Sequence, residues 1–351
     1  MNPKIPVGVL GATGAVGQRF IQLLADHPWF EITALAASER SVGRRYVDAC
    51  HWLLATPMPG IVRDMVVQET APGLDCRVIF ASLPGQVAGP IEQAFAKAGY
   101  FVCSNASAHR MAADVPLLVP EINADHTALI DTQRRRRGWK GLIAASANCS
   151  TTAMALPLKP LHDALGIRKL FVVTLQAISG AGYPGVSSLD ILGNVVPYIG
   201  GEEEKMEHES RKMLGALRGA SVVPASFVVS AQCNRVPVRD GHTECLSVEF
   251  ERQPPNAEAV AEILTNFAPS PEVAQLPSTP AHPIVVCRQA DRPQPFRDRD
   301  IEGGMASIVG RIRPCPLFDY RFVVLGHNTI RGAAGGSIHN AELLVSQGYI
   351  A

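Results

Sequence analysis

Cys149 is the residue of this 351-residue chain whose surroundings most favour nucleophilic chemistry. It lies in the segment GLIAASANCSTTAMALPL (141–158), after an apolar run typical of a β-strand and before a run typical of a helix. The dipole and the unpaired N–H groups at a helix start are expected to lower the pKa of the thiol. The alternative is a small buried core residue. Small polar neighbours, and a position at the carboxyl end of a strand where doubly wound folds bind ligands, favour the nucleophile.

A thiolate beside a nicotinamide implies attack on a carbonyl, followed by hydride exchange between the adduct or thioester and the cofactor. Such chemistry needs an acid-base group, and His242 in CNRVPVRDGHTE (233–244) is the best candidate among the ten histidines. A structural histidine is the alternative. Arg235 lies seven residues earlier in a strand-like segment, which would place a carboxylate-binding fork near His242.

A second motif, GATGAVG, predicts a phosphate-binding loop. It follows a short apolar strand candidate and opens a helical pattern. Gly11 permits the tight turn, Gly14 lets the backbone approach a pyrophosphate, and Gly17 allows close packing of the helix on the sheet. The helix start supplies free N–H donors. A dinucleotide site is therefore predicted, with a structural turn as the alternative.

The end of the second strand indicates which dinucleotide is bound. NAD sites usually place an acid there for the ribose 2′-hydroxyl. The segment LAASERSVGRRY instead offers Ser38, Arg40 and Ser41, and Glu39 is its only acid. Hydroxyl and guanidinium groups suit a 2′-phosphate, because arginine donates two charge-assisted hydrogen bonds to it. NADP is favoured over NAD.

Alternating strand and helix patterns position these motifs in an α/β fold. Strands are predicted at 5–11, 30–38, 76–83 and 100–105, with helical patterns at 15–28 and 86–99. This order is typical of a parallel, doubly wound, Rossmann-like sheet. Residues 1–148 are predicted to form an NADP-binding domain.

Longer strand candidates with fewer helices follow the cysteine. The segments KLFVVTLQAIS, ASFVVSAQCNRVPV, HTECLSVEFER and PIVVCRQ predict an α+β catalytic and oligomerisation domain over 149–327, with a mostly antiparallel sheet. Residues 328–351 are a glycine-rich turn and a helix that should pack back on the first domain. The basic run RRRRGWK at 134–140 is predicted to be a solvated loop.

Composition excludes several classes of function. Lys plus Arg and Asp plus Glu both number 32, so no global field favours nucleic acid or an anionic membrane. No apolar run approaches the ~18 to 20 residues that span a bilayer, and the N-terminus lacks a signal-peptide pattern. A cytoplasmic location is expected. The eight cysteines are dispersed without short Cys/His spacings, so neither disulfides nor a metal site are predicted.

Seven segments together resemble aspartate-semialdehyde dehydrogenase, in the branch found in archaea and fungi. They are GATGAVG, SNASAHRMAADVPLLVPEIN, SANCSTT, QAISGAGYPGV, GGEEEKMEHES, CNRVPVRDGHTE and HNTIRGAAGG, and they cover nearly the whole chain in the family's order. The resemblance implies reversible reduction of 4-phospho-L-aspartate by NADPH to L-aspartate 4-semialdehyde, with release of phosphate. It also implies a role in threonine, methionine and lysine synthesis, and a homodimer or homotetramer.

The same resemblance assigns residue roles. It implies that Cys149 forms the acyl-enzyme thioester, that His242 is the acid-base group and that Gln176 orients the intermediate. Arg235 would bind the substrate α-carboxylate and Glu202 the α-ammonium group. The implied phosphate-binding residues are Arg110, Lys205 and Asn148. The implied cofactor-binding residues are Gly11, Thr13, Gly14, Ala15 and Val16 at the pyrophosphate, Ser38, Arg40 and Ser41 at the 2′-phosphate, and Ser82, Gly182 and Asn328 near the ribose and nicotinamide.

Three alternatives remain open on the sequence. A reductase of an acyl-CoA such as malonyl-CoA shares the scaffold, and the cations at 110 and 205 could meet a CoA phosphate. N-acetyl-glutamyl-phosphate reductase shares the scaffold and the thioester chemistry, but the segment with Glu202 and Lys205 fits the aspartate enzyme better. The third is a non-catalytic NADP-binding protein, whose mark would be loss of Cys149, His242 or Arg235.

Overall fold

A six-stranded parallel sheet forms the first part of the molecule. The computed structural model describes residues 3–350, so the terminal residues 1, 2 and 351 of the predicted domain ranges lie outside the described residues. The strand order is β2-β1-β3-β4-β6-β5, and every pairing is parallel. The strands are β1 (Ile5–Leu10), β2 (Phe30–Ala36), β3 (Val78–Ala81), β4 (Phe101–Ser104), β5 (Leu117–Leu118) and β6 (Leu142–Ser146). The predicted doubly wound α/β class is confirmed.

Helices pack against both sheets. They are α1 (Ala15–Leu24), α2 (Tyr46–Ala49), α3 (Gly85–Ala98), α4 (Pro120–Asn123), α5 (Leu129–Arg137), α6 (Cys149–Leu165), α7 (Ser188–Ile191), α8 (Glu202–Met213), α9 (Ala257–Thr265), α10 (Pro271–Ala274), α11 (Pro295–Asp298) and α12 (Gly335–Ser346). Between residues 3 and 350, no helix combines the length and the apolar character needed to cross a membrane.

The second sheet has six strands in the order β10-β7-β11-β14-β13-β12. With the separate hairpin of β8 and β9, its strands are β7 (Ile167–Gln176), β8 (Ala216–Arg218), β9 (Ser221–Val223), β10 (Val228–Arg235), β11 (His242–Phe250), β12 (Ile284–Cys287), β13 (Ser307–Pro314) and β14 (Tyr320–Gly326). The three central pairings are antiparallel and the two outer ones are parallel, so the sheet is mixed. Strands β8, β9, β13 and β14 lie outside the strand segments predicted from the sequence.

One face of this sheet packs against α6 and the other is largely exposed. Along β11, burial alternates from His242 through Phe250, as the two-residue period of a strand requires. The buried face contributes Val172, Leu246 and Val324 to a core shared with Met154 of α6. This arrangement fixes which side chains of β7, β10 and β11 point toward the helix that begins with Cys149.

The C-terminal helix α12 packs on the first sheet. Ile338 and Leu344 are buried in one cluster with Phe20 of α1 and Phe80 of β3, whose rings stack at 5.1 Å. A π-helical turn, Ile330–Ala334, precedes α12. It brings the chain from the second sheet back across the start of α6, close to Cys149.

The predicted loop at 134–140 is wrong for residues 134–137, which are helical, whereas Arg135, Arg136 and Lys140 are exposed as predicted. Arg134 and Arg137 belong to the last turn of α5, where cationic side chains interact favourably with the helix dipole. Arg137 donates two hydrogen bonds to Asp114, at 2.5 and 2.6 Å, and stacks over Trp139 at 4.7 Å. The stacking and the ion pair tie the helix end to the neighbouring loop, which a count of like charges does not reveal.

Candidate active site

A cavity of about 690 Å³ lies between the two sheets, above the start of α6. Its wall brings together residues that lie far apart in the sequence. The predicted catalytic and substrate-binding residues that line it are Arg110, Asn148, Cys149, Glu202, Lys205 and Arg235. The predicted cofactor-binding residues that line it are Gly14, Ala15, Val16, Ser82, Gly182 and Asn328.

Cys149 is the first residue of α6 and is half-buried. The side chain of Asn148 caps this helix, because its Oδ1 accepts the N–H groups of Ser150 and Thr151 at 3.0 and 3.1 Å. Gly332 of the π-helical turn approaches from the opposite side. A Cβ at position 332 would lie 2.5 Å from the Cβ of Cys149, so only glycine lets this segment pass the thiol.

The pKa of Cys149 differs in direction from the sequence prediction. Burial raises the pKa of the thiol to about 12, and the Glu202 carboxylate acts in the same direction. Arg110, Arg235 and the N–H of Ser150 oppose this shift without reversing it. The N–H groups of Ser150 and Thr151 also donate to Asn148 Oδ1, so the helix start is shared between the cap and the thiol. The surroundings of Cys149 in the free protein therefore favour the thiol over the thiolate.

His242 and Gln176 lie directly behind the cavity wall and do not line it. His242 is fully buried, its Nδ1 accepts the main-chain N–H of Ala177 at 3.0 Å, and its Nε2 has no partner among the described residues. Burial lowers its pKa to about 3, with further contributions from Arg235 and His327. Gln176 is also buried and donates from Nε2 to the hydroxyl of Thr174 at 3.2 Å.

Arg235 joins this buried layer to the cavity. Its Nη1 donates to the carbonyl of Ala177 at 2.8 Å, so the Ala177 peptide holds both the arginine and His242. Gly180 packs on both side chains, because a Cβ there would lie 2.9 Å from Nη1 of Arg235 and 3.2 Å from Nε2 of His242. The guanidinium and the imidazole Nε2 are thus neighbours at one end of the cavity.

Glu202 and Lys205 lie on one side of α8 and face the cavity. Oε1 of Glu202 accepts the Asn148 Nδ2 group at 2.7 Å, and Oε2 accepts Lys205 Nζ at 3.3 Å. Arg110 lies across from them, donating from Nη1 to Glu209 at 3.0 Å and from Nη2 to the carbonyl of Asn105 at 2.7 Å. The cavity floor therefore carries two cations and one carboxylate around the thiol.

A second cavity of about 1140 Å³ extends from the first along the carboxyl ends of β1 and β2. The two share Gly14 and Ser82, so they form one elongated cleft. Gly11 has φ 72°, and a Cβ there would lie 2.6 Å from the carbonyl oxygen of Ser82. No side chain caps the start of α1, which leaves its first N–H groups directed at the cleft. The cleft fits a dinucleotide with its pyrophosphate at this helix start.

Two of the three residues predicted to bind the 2′-phosphate line the far end of the cleft, and the third does not. Ser38 and Arg40 are exposed and line the second cavity together with Thr13, Gly11 and Glu39. Ser41 is buried and lies outside the lining, with its N–H donating to the carbonyl of Ser38. At the near end, Asn328 donates to the hydroxyl of Ser179 and accepts the N–H of Gly241, both at 2.8 Å.

Several residues around the thiol were not predicted from the sequence. Glu209 and Lys212 lie in a polar helix that reads as a surface element, and Gly332 belongs to a turn with many small residues. Arg331 is fully buried and forms a two-point ion pair with Glu121 at 2.7 and 2.8 Å. Only the tertiary structure brings these residues to the cysteine. Within residues 3–350, no group of three or more His, Cys, Asp or Glu side chains could hold a metal ion.

Comparisons with known proteins agree with this geometry. The family model described as "Semialdehyde dehydrogenase, NAD binding domain" matches residues 6–130, and "Semialdehyde dehydrogenase, dimerisation domain" matches residues 158–331. The aspartate-semialdehyde dehydrogenase of Methanothermobacter thermautotrophicus is 52% identical over 97% of this chain and 99% of its own. The enzyme of that name from Cryptococcus neoformans is 50% identical over 99% of both chains.

A solved structure extends the likeness to three dimensions. The aspartate-semialdehyde dehydrogenase of Candida albicans, crystallised with NADP, is 46% identical and superposes with a TM-score of 0.90, over 98% of this chain and 99% of the other. A second enzyme of this name, from Vibrio cholerae, is 30% identical with a TM-score of 0.79 over 99% of this chain and 100% of the other. Both matched domains, the sequence identity and the superposition lead to one conclusion: the chain belongs to the aspartate-semialdehyde dehydrogenase family.

Proposed function

We propose that the protein catalyses the reversible, NADP-dependent reduction of 4-phospho-L-aspartate to L-aspartate 4-semialdehyde and phosphate, an amino-acid biosynthetic step. The observation that carries this proposal is the set of charges around Cys149. Arg235 lies at one end of the cavity, Glu202 faces the thiol, and Arg110 and Lys205 line the floor. The substrate carries a phosphate on its acyl carbon C4, and a carboxylate and an ammonium group at its other end on C2, so each charge has an opposite partner.

Recognition of the amino-acid end is assigned to Arg235 and Glu202. Arg235 is buried and held by the Ala177 carbonyl, so its remaining N–H groups present a fixed fork for the α-carboxylate. Glu202 is buried and oriented by Asn148, and it receives the α-ammonium group in place of part of its contact with Lys205. Arg110 and Lys205 bind the phosphate, with the Asn148 amide beside them.

The covalent step forms a bond between Sγ of Cys149 and the C4 carbonyl carbon, and breaks the bond from C4 to the phosphate oxygen. The thiol proton passes to the departing phosphate oxygen, and the hydrogen phosphate leaves bound by Arg110 and Lys205. The bound cofactor would supply the hydride to C4 as NADPH, or accept it from C4 as NADP⁺ in the reverse direction. Cys149 leaves as the sulfur bond breaks and regains a proton. Semialdehyde is then the reduced product and phosphate the released group.

His242 and Gln176 act on the carbonyl oxygen from behind the cavity wall. Since Nδ1 of His242 accepts a backbone hydrogen bond, the neutral ring carries its proton on Nε2, which has no other partner among the described residues. We assign that N–H to the oxygen on which negative charge develops. Gln176, fixed by Thr174, holds the acyl group in line with it.

Cofactor binding is assigned to the elongated cleft. The start of α1, with Thr13, Gly14, Ala15 and Val16, holds the pyrophosphate. Ser38 and Arg40 bind the 2′-phosphate, while Ser41 supports this turn from within rather than by contact. Ser82, Gly182 and Asn328 lie beside the cavity that holds the thiol, where the nicotinamide must reach C4.

We further propose that the protein is a homo-oligomer built on a dimer. The matched dimerisation domain contains the open face of the second sheet, where Phe171, Leu175 and Val228 are exposed in the single chain. In the segment between β7 and α8, the side chains of Leu189 and Tyr198 are also exposed. We propose three functional units. Residues 1–148 bind the cofactor, residues 149–327 carry catalysis and oligomerisation, and residues 328–351 pack back on the first domain.

Steady-state turnover tests the proposed function. NADP reduction is followed at the absorbance of NADPH, with L-aspartate semialdehyde as substrate, in the presence and absence of phosphate. Turnover should require phosphate and disappear in Cys149→Ala. Malonyl-CoA with NADPH is the parallel assay, and turnover with the CoA ester alone would contradict the proposal.

A further inference from the structure

Helix α8 buries three charged side chains on the face that it turns toward Cys149. Glu202, Glu209 and Lys212 are 6%, 2% and 5% exposed. They are seven and three residues apart, which places them along one side of a helix. Glu202 belongs to the site already described. Glu209 and Lys212 have no substrate-binding role assigned, yet both are held by short hydrogen bonds within the same network.

Glu209 links two parts of the site with its two carboxylate oxygens. Oε1 accepts Nη1 of Arg110 at 3.0 Å, and Oε2 accepts the main-chain N–H of Asn148 at 2.6 Å. The net pKa of Glu209 is raised, because burial and the Glu202 carboxylate outweigh the opposing effects of Arg110 and the Asn148 N–H. Both partners can only donate, so both oxygens must accept, and the ionised carboxylate is the form that satisfies them.

Lys212 fixes the same region from one turn further along. Its Nζ donates to the carbonyl oxygens of Arg110, Ala112 and Val115 at 2.7, 2.8 and 2.9 Å. All three donors of the ammonium group are therefore used by one loop. Arg110 is held at its main chain by Lys212 and at its guanidinium by Glu209.

We propose that Glu209 is a positioning residue that holds the phosphate-binding Arg110 and the Asn148–Cys149 peptide in one rigid frame. The proposal rests on the assignment of phosphate binding to Arg110. Its consequence is that phosphate binding and placement of the thiol depend on the same buried carboxylate. Glu209 itself does not line the cavity and touches neither thiol nor substrate.

A glutamine at this position is the sharpest probe. It has nearly the same shape but a single acceptor oxygen, so its NH₂ group must face either Arg110 or the Asn148 N–H, and both are donors. The substitution also removes a negative charge near Arg110. If Glu209 acted through its charge alone, the variant would bind phosphate more tightly. If it positions Arg110, the variant binds phosphate more weakly.

The matched control is Glu207→Gln. Glu207 lies on the same helix and also accepts a main-chain N–H, from Ala231 at 3.2 Å, but it faces β10. Both variants lose one negative charge, but glutamine at 207 can still accept the Ala231 N–H, whereas glutamine at 209 cannot accept from both Arg110 and Asn148. Thermal unfolding of each variant shows whether the fold is retained. If Glu209→Gln does not fold, Glu209→Asp replaces it, because aspartate keeps both oxygens but cannot reach both partners.

Two readouts separate positioning from a general loss of structure. The first is protection of Cys149 by inorganic phosphate against alkylation with iodoacetamide, which requires no turnover. We expect the phosphate concentration for half-protection to rise at least about fivefold in Glu209→Gln and to stay within about twofold in Glu207→Gln, the loss of one charge-assisted hydrogen bond being of this order. The second is steady-state kinetics, where kcat should fall and KM for phosphate should rise more than KM for the semialdehyde.

Phosphate protection that is unchanged or tighter in Glu209→Gln would overturn this inference, as would a parent protein that phosphate does not protect. Protection that weakens as expected, in a parent protein without phosphate-dependent turnover, would overturn the proposed function and leave the positioning role in place.

Discussion

Nδ1 of His242 accepts the main-chain N–H of Ala177 at 3.0 Å. A neutral imidazole has one donor and one acceptor nitrogen, so this bond places the ring proton on Nε2. The donor nitrogen Nε2 of His242 therefore lies next to Arg235 and behind Gly180, which lines the cavity. The sequence suggests a general acid-base group at this position, and the structure narrows the resting state to the donor form.

The donor role predicts different effects for two substitutions of His242. Leucine removes the donor and should lower kcat by about 10²- to 10³-fold, the usual effect of losing one oxyanion donor. Glutamine retains an N–H group and should keep at least about tenfold more activity than leucine.

Because the pKa of His242 is lowered to about 3, kcat/KM of the parent should show no histidine-dependent decline between pH 5.5 and 8. Equal loss in both variants, with an acidic limb near pH 6 to 7, would identify a base instead.

The raised pKa of Cys149 predicts how its reactivity depends on pH. With a pKa of about 12, the thiolate is a small fraction at neutral pH and grows tenfold per pH unit. Alkylation by iodoacetamide, followed by peptide mass mapping, should accelerate by about tenfold per unit from pH 6 to 9 without a plateau. A plateau below pH 8 would mean that the helix start stabilises the thiolate after all.

Cys315 provides the comparison within the same sample. Burial raises its pKa, but the N–H groups of Leu317 and Phe318 outweigh this and the net pKa is lowered. Its alkylation rate should therefore level off at a lower pH than that of Cys149. Identical pH profiles for the two cysteines would contradict the environments described for them.

Arg40 should determine the preference for NADP. It is exposed, lines the far end of the cleft, and has no ion pair within residues 3–350. Replacing it with alanine removes a charge-assisted hydrogen bond, so KM for NADP should rise by about 10- to 100-fold with little change for NAD. Arg44→Ala is the control, because that guanidinium bonds the carbonyl of Asp48 and lies outside the cleft. An equal effect on both cofactors would place the 2′-phosphate elsewhere.

Glu244 predicts a stability that depends on pH. This carboxyl is fully buried two residues after His242, and neither of its oxygens has a partner in the described part of the chain. Burial, with a contribution from Glu202, raises its pKa well above the ordinary value. The folded state keeps the Glu244 proton, whereas the unfolded state loses it above pH ~4.3. The free energy of unfolding therefore falls as pH rises from about 4.3 toward the raised pKa of Glu244 in the folded state.

Glu244→Gln removes this cost. The variant should unfold at a higher temperature than the parent at pH 8, and its advantage should shrink toward pH 4.5 by up to about 1.4 kcal/mol per pH unit. Glu249→Gln on the same strand is the opposite control. A hydrogen bond from Lys169 is the main cause that lowers the pKa of Glu249, so its contribution is present at neutral pH and lost as pH falls. Parallel pH dependence of the two variants would refute the assignment.

Local signals in the sequence account for the first domain. The glycine spacing after β1 and the helical periodicity of α1 predict a strand, a turn and a helix that contact one another directly. The apolar run before Cys149 and the helical pattern after it likewise predict its position at the junction of β6 and α6. The second sheet depends on pairings between distant strands, and its two parallel pairings leave no local mark.

Charged segments gave the least reliable predictions. Within the basic run 134–140, the ion pair of Arg137 could not be predicted because its partner, Asp114, lies 23 residues earlier and in no regular spacing. Glu209 and Lys212 were not among the predicted site residues, since their buried partners are contributed by two other parts of the chain. The direction of the Cys149 pKa also depends on burial, which a single helix start does not reveal.

The central claim is that the reaction passes through a thioester on Cys149, and trapping that species tests it most directly. The protein is mixed with NADP and L-aspartate semialdehyde without phosphate, NADPH is quantified, and the protein is analysed by peptide mass mapping. The account predicts a burst of NADPH that stops at one equivalent per site, one β-aspartyl group on Cys149, and its release by phosphate. A burst of equal size in Cys149→Ala, or an acyl group on another residue, would contradict it.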